Sequence, residues 1–170
     1  MARAMRKTHK TRKPAKAAGK SSARRKITAR AKSKPKAARA KPAAKKQSFV
    51  ASHHGPGAFE QGLRRYAQYR DLGIAAATGG LARAHVIKMI PPCDPAVVSK
   101  RHYHDVEFQM IYVLKGWIKG EYEGAGEVTM REGSCWLQPP KIEHKVLDYS
   151  DDCEVLEIIL PADFETVELE

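Results

Sequence analysis

His102-Tyr103-His104-Asp105-Val106-Glu107-Phe108-Gln109, running on through Met110-Ile111-Tyr112-Val113-Leu114-Lys115 to Gly116, decides how this chain folds. Two histidines two positions apart on an extended chain send both side chains to one face. The apolar run behind them has the length and composition of a strand, so residues 108–114 are expected to form one. With Gln109 pointing inward, Ile111 and Val113 share its face, and Tyr112 and Leu114 face away.

The same pattern repeats outward from this stretch. Residues 84–90 form an extended run stopped by Pro91-Pro92, and residues 117–122 form another. Gly124-Ala125-Gly126 reads as a hairpin turn into 127–130, and Arg131-Glu132-Gly133 as a turn into 134–138, which Pro139-Pro140 closes. Residues 144–147 and 153–160 complete the set, with Ser150-Asp151-Asp152 between them. Short strands punctuated by Gly and Pro, with almost no helix, predict an all-β antiparallel sandwich or barrel. Val155, Leu156, Ile158, Ile159 and Leu160 are nearly continuous, which suggests a strand buried on both faces.

His144 opens the strand after Pro139-Pro140-Lys141. Two same-face histidines from one strand and a third from another can converge on one ion, because imidazole suits Mn, Fe, Co, Ni, Cu and Zn alike. The spacing around them adds to this. His102-x-His104, four residues, Gln109, six residues, Gly116 resembles the first cupin motif, and Gly133, five residues, Pro139, then His144 resembles the second. The resemblance extends from Ile87 to Asp163. It implies a double-stranded β-helix, or jelly-roll barrel, with a divalent metal (Fe, Mn, Ni or Zn) near its mouth, held by His102, His104, Gln109 and His144. It also places Trp136 and Gln138 inward, so that Ile111, Trp136 and Gln138 line a substrate pocket, and it implies a homodimer. Pairing in a two-fold dimer is the remedy expected for apolar surface left by the strand at 153–160.

The chain departs from the pattern at four places. Val97 and Val98 stand near the family's first glycine, Lys141 stands at the PxG glycine, Asp148 replaces the final asparagine, and Gln109 replaces the usual acidic ligand. A neutral amide oxygen can coordinate or only hydrogen-bond. The site is therefore expected to be one negative charge short and to attract an anionic ligand. Glu107, two residues earlier on the same parity, is the alternative ligand if a bulge delivers it. A barrel whose histidines stand without metal is a further alternative. His85 has no spacing partner and reads as a core or surface histidine; His53 and His54, before Gly55-Pro56-Gly57, read as solvated loop residues.

Upstream, Phe59, Leu63, Tyr66, Tyr69 and Leu72 recur every three to four residues, which suggests a short helix before Thr78-Gly79-Gly80, with Arg64, Arg65 and Arg70 outside. Residues 49–83 are thus expected to be a helical or linker segment packing on a barrel of residues 84–170. Residues 1–48 hold 19 of the 31 Lys+Arg and none of the 19 Asp+Glu, so they carry +19, while residues 49–170, with 12 basic and 19 acidic residues, carry −7. Without an aromatic residue or an apolar pattern the first segment cannot offset its chain entropy, and it reads as a disordered tail. Lys32, Lys34, Lys36, Lys41, Lys45 and Lys46, spaced by Ala and Pro, suit nonspecific, salt-dependent contact with nucleic acid or another polyanion. The tail resembles in composition those of linker histones and histone-like bacterial proteins. An organellar transit peptide or a plain solubility tail also fits.

No run approaches the ~18–20 apolar residues of a membrane span, and no apolar region follows the basic N-terminus, so a cytoplasmic protein is expected, nucleoid-associated if the tail binds DNA. Cys93, Cys135 and Cys153 form no close pair and are expected to be reduced; Cys135 and Cys153, in apolar runs, read as small core hydrophobes. Two functions fit these observations. One is a metal-dependent enzyme acting on a small, anionic molecule, such as a dioxygenase or isomerase. The other is a non-enzymatic ligand-binding or sensory barrel tethered to nucleic acid by its tail.

Overall fold

A computed structural model describes residues 46–62 and 64–169, all within one compact unit spanning Pro42–Glu170. The expectations for the tail, disorder and polyanion binding through Lys32, Lys34, Lys36, Lys41 and Lys45, lie outside the described residues; Lys46 is described and exposed.

The described residues build two antiparallel sheets. The first runs β1 (Glu60–Gln61), β2 (Ala67–Asp71), β3 (Arg83–Met89), β10 (Glu154–Leu160), β5 (Phe108–Lys115), β8 (Cys135–Leu137) in spatial order. The second runs β11 (Glu165–Glu168), β4 (His102–Asp105), β9 (His144–Tyr149), β6 (Trp117–Tyr122), β7 (Gly126–Arg131). Two one-turn helices, α1 (Ile74–Ala77) and α2 (Pro95–Val98), precede β3 and β4. No described helix is long and apolar enough to cross a membrane.

Strand β5 carries the parity expected of it. Gln109, Ile111 and Val113 are buried, whereas Phe108, Tyr112 and Leu114 are exposed. Gly116 ends it at φ 69°, and an added Cβ would run into Ser150 Oγ and Asp152 Oδ1, so the turn into β6 needs glycine. Strand β10 lies inside the first sheet, paired with β3 on one side and β5 on the other. Its backbone therefore needs no partner chain. The exposed large apolar side chains of that sheet, Phe108, Tyr112, Leu114 and Leu137, stand on β5 and the edge strand β8 instead.

Two expectations are corrected. The helical spacing of residues 59–74 does not become a helix; 60–61 and 67–71 are strands, and the short helix is displaced to Ile74–Ala77. β2 pairs with β3 from Ala67↔Met89 to Asp71↔His85, and this ladder outweighs local helical preference. Cys135 is exposed, because Trp136 takes the inward position on β8 and its neighbours alternate outward; Cys153 is fully buried, and all three cysteines are free.

Between the sheets, the strands run from a dry end to a polar end. Val113, Ile118, Met130, Tyr149, Cys153 and Val155 pack in the core. Burial raises the Cys153 thiol to about 12, which keeps it an inert hydrophobe. Further along the same strands come Gln109, Glu157, Tyr122 and His144, which line a cavity of about 660 Å³.

Candidate metal and ligand site

The register of the second sheet assembles the histidines. His102 on β4 lies directly opposite His144 on β9, and His104 follows His102 on the same face. The three rings stand 4.4, 5.1 and 5.2 Å apart between centroids, and one ligand atom from each lies within 4.8 Å of the other two. Their back sides are tied down. His102 Nδ1 donates to Lys100 O at 2.8 Å and His144 Nδ1 to Ile142 O at 2.9 Å, which leaves each Nε2 as a lone pair. His104 Nδ1 bonds Thr166 Oγ1 at 2.9 Å, because β11 pairs with β4 in the register Thr166↔His104. Phe164 and Tyr122 pack on His104 and His144.

Burial lowers all three histidine pKa values, those of His104 and His144 to about 4. Neutral imidazoles held by hydrogen bonds at Nδ1 are the form that binds metal. The donor set therefore fits a divalent ion of the transition series.

A buried polar chain surrounds the cluster. Trp136 Nε1 donates to Gln138 Oε1 at 3.1 Å; Gln138 Nε2 stands 3.1 Å from both Gln109 Oε1 and His144 Nε2; Gln109 Nε2 donates to Glu157 Oε1 at 2.6 Å. His85 Nε2 closes the chain, 2.6 Å from Glu157 Oε2. Both ends have one chemical sense, because an indole N–H only donates and a carboxylate only accepts. Every amide between them is thereby oriented. Gln109 must turn its NH2 to Glu157 and its oxygen back toward Gln138 and the histidines.

Glu157 also explains the amide at position 109. A carboxylate there would stand at hydrogen-bond distance from a second carboxylate, and two such groups cannot both ionise. Burial alone would raise the Glu157 carboxyl, but the His85 hydrogen bond and charge, joined by the Gln109 N–H, hold it below the usual carboxylate range. The negative charge expected at 109 is not missing from the cavity; it sits on β10, behind the glutamine.

Of the residues singled out from sequence, His102, His104, Gln109, His144, Ile111, Trp136 and Gln138 all line the cavity. Glu107 does not: it lies exposed in the bend before β5, its N–H bonded to Leu160 O at 2.7 Å. Among the lining residues that escaped sequence reasoning are Arg64, expected outside; His85, read as a core or surface histidine without a spacing partner; Glu157; and Thr166. A signal existed for Glu157, the lone acid within Val155-Leu156-Glu157-Ile158-Ile159-Leu160, since a carboxylate in a strand buried on both faces must be paired. Lys141, at the expected glycine position, keeps the left-handed backbone with φ 62°, and its N–H bonds His104 O at 3.1 Å.

Comparison with known proteins agrees with this architecture. The cupin domain family model matches residues 93–159. No curated protein matches the chain. Among solved structures, KdgF from Halomonas sp. is similar at 21% identity and TM-score 0.51, over 67% of this chain and 94% of that one. The polyketide cyclase RemF from Streptomyces resistomycificus is similar at 14% identity and TM-score 0.58, over 72% and 87%. A sugar phosphate isomerase of the cupin superfamily from Silicibacter pomeroyi is similar at 17% identity and TM-score 0.50, over 66% and 74%. At these identities the likeness shows the fold.

Proposed function

We propose that this chain, which matches the cupin domain model over residues 93–159, holds a divalent metal ion on the Nε2 atoms of His102, His104 and His144, with the Gln109 amide oxygen as fourth ligand, and binds a small anionic molecule in the adjoining cavity. The observation that carries this reading is the convergence of three buried imidazoles whose ligand atoms lie within 4.8 Å of one another. When bound, such an ion polarises an oxygen of the molecule beside it. The chain's own residues supply the rest. Ile111 and Trp136 exclude water along one wall, and the Gln138 N–H that stands 3.1 Å from His144 Nε2 would turn to the bound molecule once a metal ion takes that lone pair. Glu157, held ionised in the cavity with His85 behind it, is the group able to accept a proton. Proton transfer on an oxygen-rich small molecule, as in an isomerase, suits this set, and the sugar phosphate isomerase among the similar folds supports the class.

Metal analysis of the purified full chain tests the reading. Near-stoichiometric divalent ion is expected in the native protein, with affinity at least about a hundredfold lower in His102→Ala. Absence of metal, with unchanged affinity in that variant, overturns it. A second reading, a ligand-binding barrel tethered to nucleic acid, rests on the charge split of +19 against −7. Its measurement is the salt slope of DNA binding by the full chain and by residues 49–170; equal binding by both removes the tail's role.

A further inference from the structure

Arg64 sits in the connection between β1 and β2 and reaches the cavity wall. Gln61 Nε2 holds that connection, donating to Arg64 O at 2.8 Å and Ala67 O at 3.1 Å. The guanidinium is anchored by one nitrogen only: Nη1 donates to Glu168 Oε1, and Glu168 lies opposite His102 in the β4–β11 register. The arginine therefore joins the β1–β2 connection at the edge of the first sheet to β11, the edge strand of the second, beside the histidine strand β4. Its side chain is 15% exposed, yet Nη2 is buried with no acceptor from the protein. A buried charged N–H without an acceptor is costly, and its persistence on a cavity wall calls for an explanation.

We propose that Arg64 is the anion-recognition residue of this cavity: its Nη2 receives the carboxylate of an organic acid whose apolar body lies against Ile87, Met89, Ile111, Trp136 and Phe164. The inference deepens the reading of the site above and rests on it for the place of the ligand. A carboxylate satisfies the unpaired N–H, and guanidinium is the side chain whose fork matches it. Glu157, the buried acid of the same cavity, stands on β10 in the same sheet, with its two oxygens taken by His85 and Gln109 rather than by Arg64.

Calorimetric titration of the full chain with benzoate and with its neutral isostere benzamide tests the assignment, in protein stripped by chelator and again in protein loaded with zinc. Wild-type protein is expected to bind benzoate at least about tenfold more tightly than benzamide in both forms. Arg64→Gln should abolish the preference and Arg64→Lys should restore part of it. Glu168→Gln, which breaks the ion pair but leaves the guanidinium, should retain it. Loss of the preference in Glu168→Gln as well would show a structural role only and overturn the assignment, as would loss in Arg83→Gln but not in Arg64→Gln. A preference present only with zinc also overturns it, since the anion is then held by the metal. Failure to load metal with the preference kept sinks the metal reading and leaves Arg64 standing. Thermal melting of each variant confirms that it is folded.

Discussion

The two ends of the space between the sheets are built on the same strands and do opposite work. At the dry end Val113, Met130, Tyr149 and Cys153 fill the interior with side chains, and the Tyr149 hydroxyl finds its acceptor in Ile90 O at 2.9 Å. At the polar end, inward-facing positions of the same strands carry Gln109, His144 and Glu157, a register shift on β9 bringing His144 to the side of Tyr149, and the interior opens into a cavity. Burial is similar at both ends, but its consequence differs. It stabilises the dry end by removing apolar surface from water, whereas at the polar end it strips water from groups that then need partners. Stability and binding chemistry are thus separable along a single strand, and each can be perturbed alone.

Acid should break the polar end hardest. His104 and His144 take up protons in the unfolded chain near the ordinary value of 6.5 but in the folded protein only at about 4, so stability present above 6.5 is lost as pH falls between the two values. On the order of 2–3 kcal/mol is expected for each histidine. Urea midpoints of chelator-stripped protein across that range would record it, with a shallower fall in His104→Asn/His144→Asn; equal slopes in both proteins would refute it.

At the dry end, Met130→Ala should cost about 2–5 kcal/mol through lost burial and a cavity, with metal affinity unchanged. Thermal melts and a chelator competition together check this, and a parallel loss of metal affinity would mean that the ends are not independent.

A smaller effect is expected from Glu157→Gln. An amide at that position can donate as well as accept, so it no longer dictates which way Gln109 turns. Metal affinity should fall about tenfold with little change in fold, as seen by competition with a chromophoric chelator. An unchanged affinity would leave Gln109 without a positioning partner. The smallest change belongs to Lys141→Gly, which relieves the left-handed backbone at the turn into β9 and should raise stability by up to about 1 kcal/mol. A lower denaturation midpoint in that variant would show that the ion pair of Lys141 with Asp105, 3.4 Å, outweighs the strain.

Most of the barrel was legible in the amino-acid order. The strands from β3 to β10 fall close to where alternation and the Gly and Pro stops place them, because strand parity and turn chemistry are local. The N-terminal hairpin was not, since Tyr66, Tyr69 and Leu72 suit a helical spacing until β3 offers a ladder. In the site, His102, His104 and His144 were visible as a same-face pair and a strand-opening third. Glu157 was hidden in an apolar run, and Arg64 among residues that a helix would have turned outward.

Sequence by itself determined which side chains share a face and where the chain must turn, because both follow from the geometry of a few consecutive residues. Only the tertiary structure decided which residues meet. Gln109 finds Glu157 across 48 residues, and Arg64 finds Glu168 across 104. Such partners depend on the register of strands distant in the chain, which the packing of the whole interior selects and no local pattern encodes.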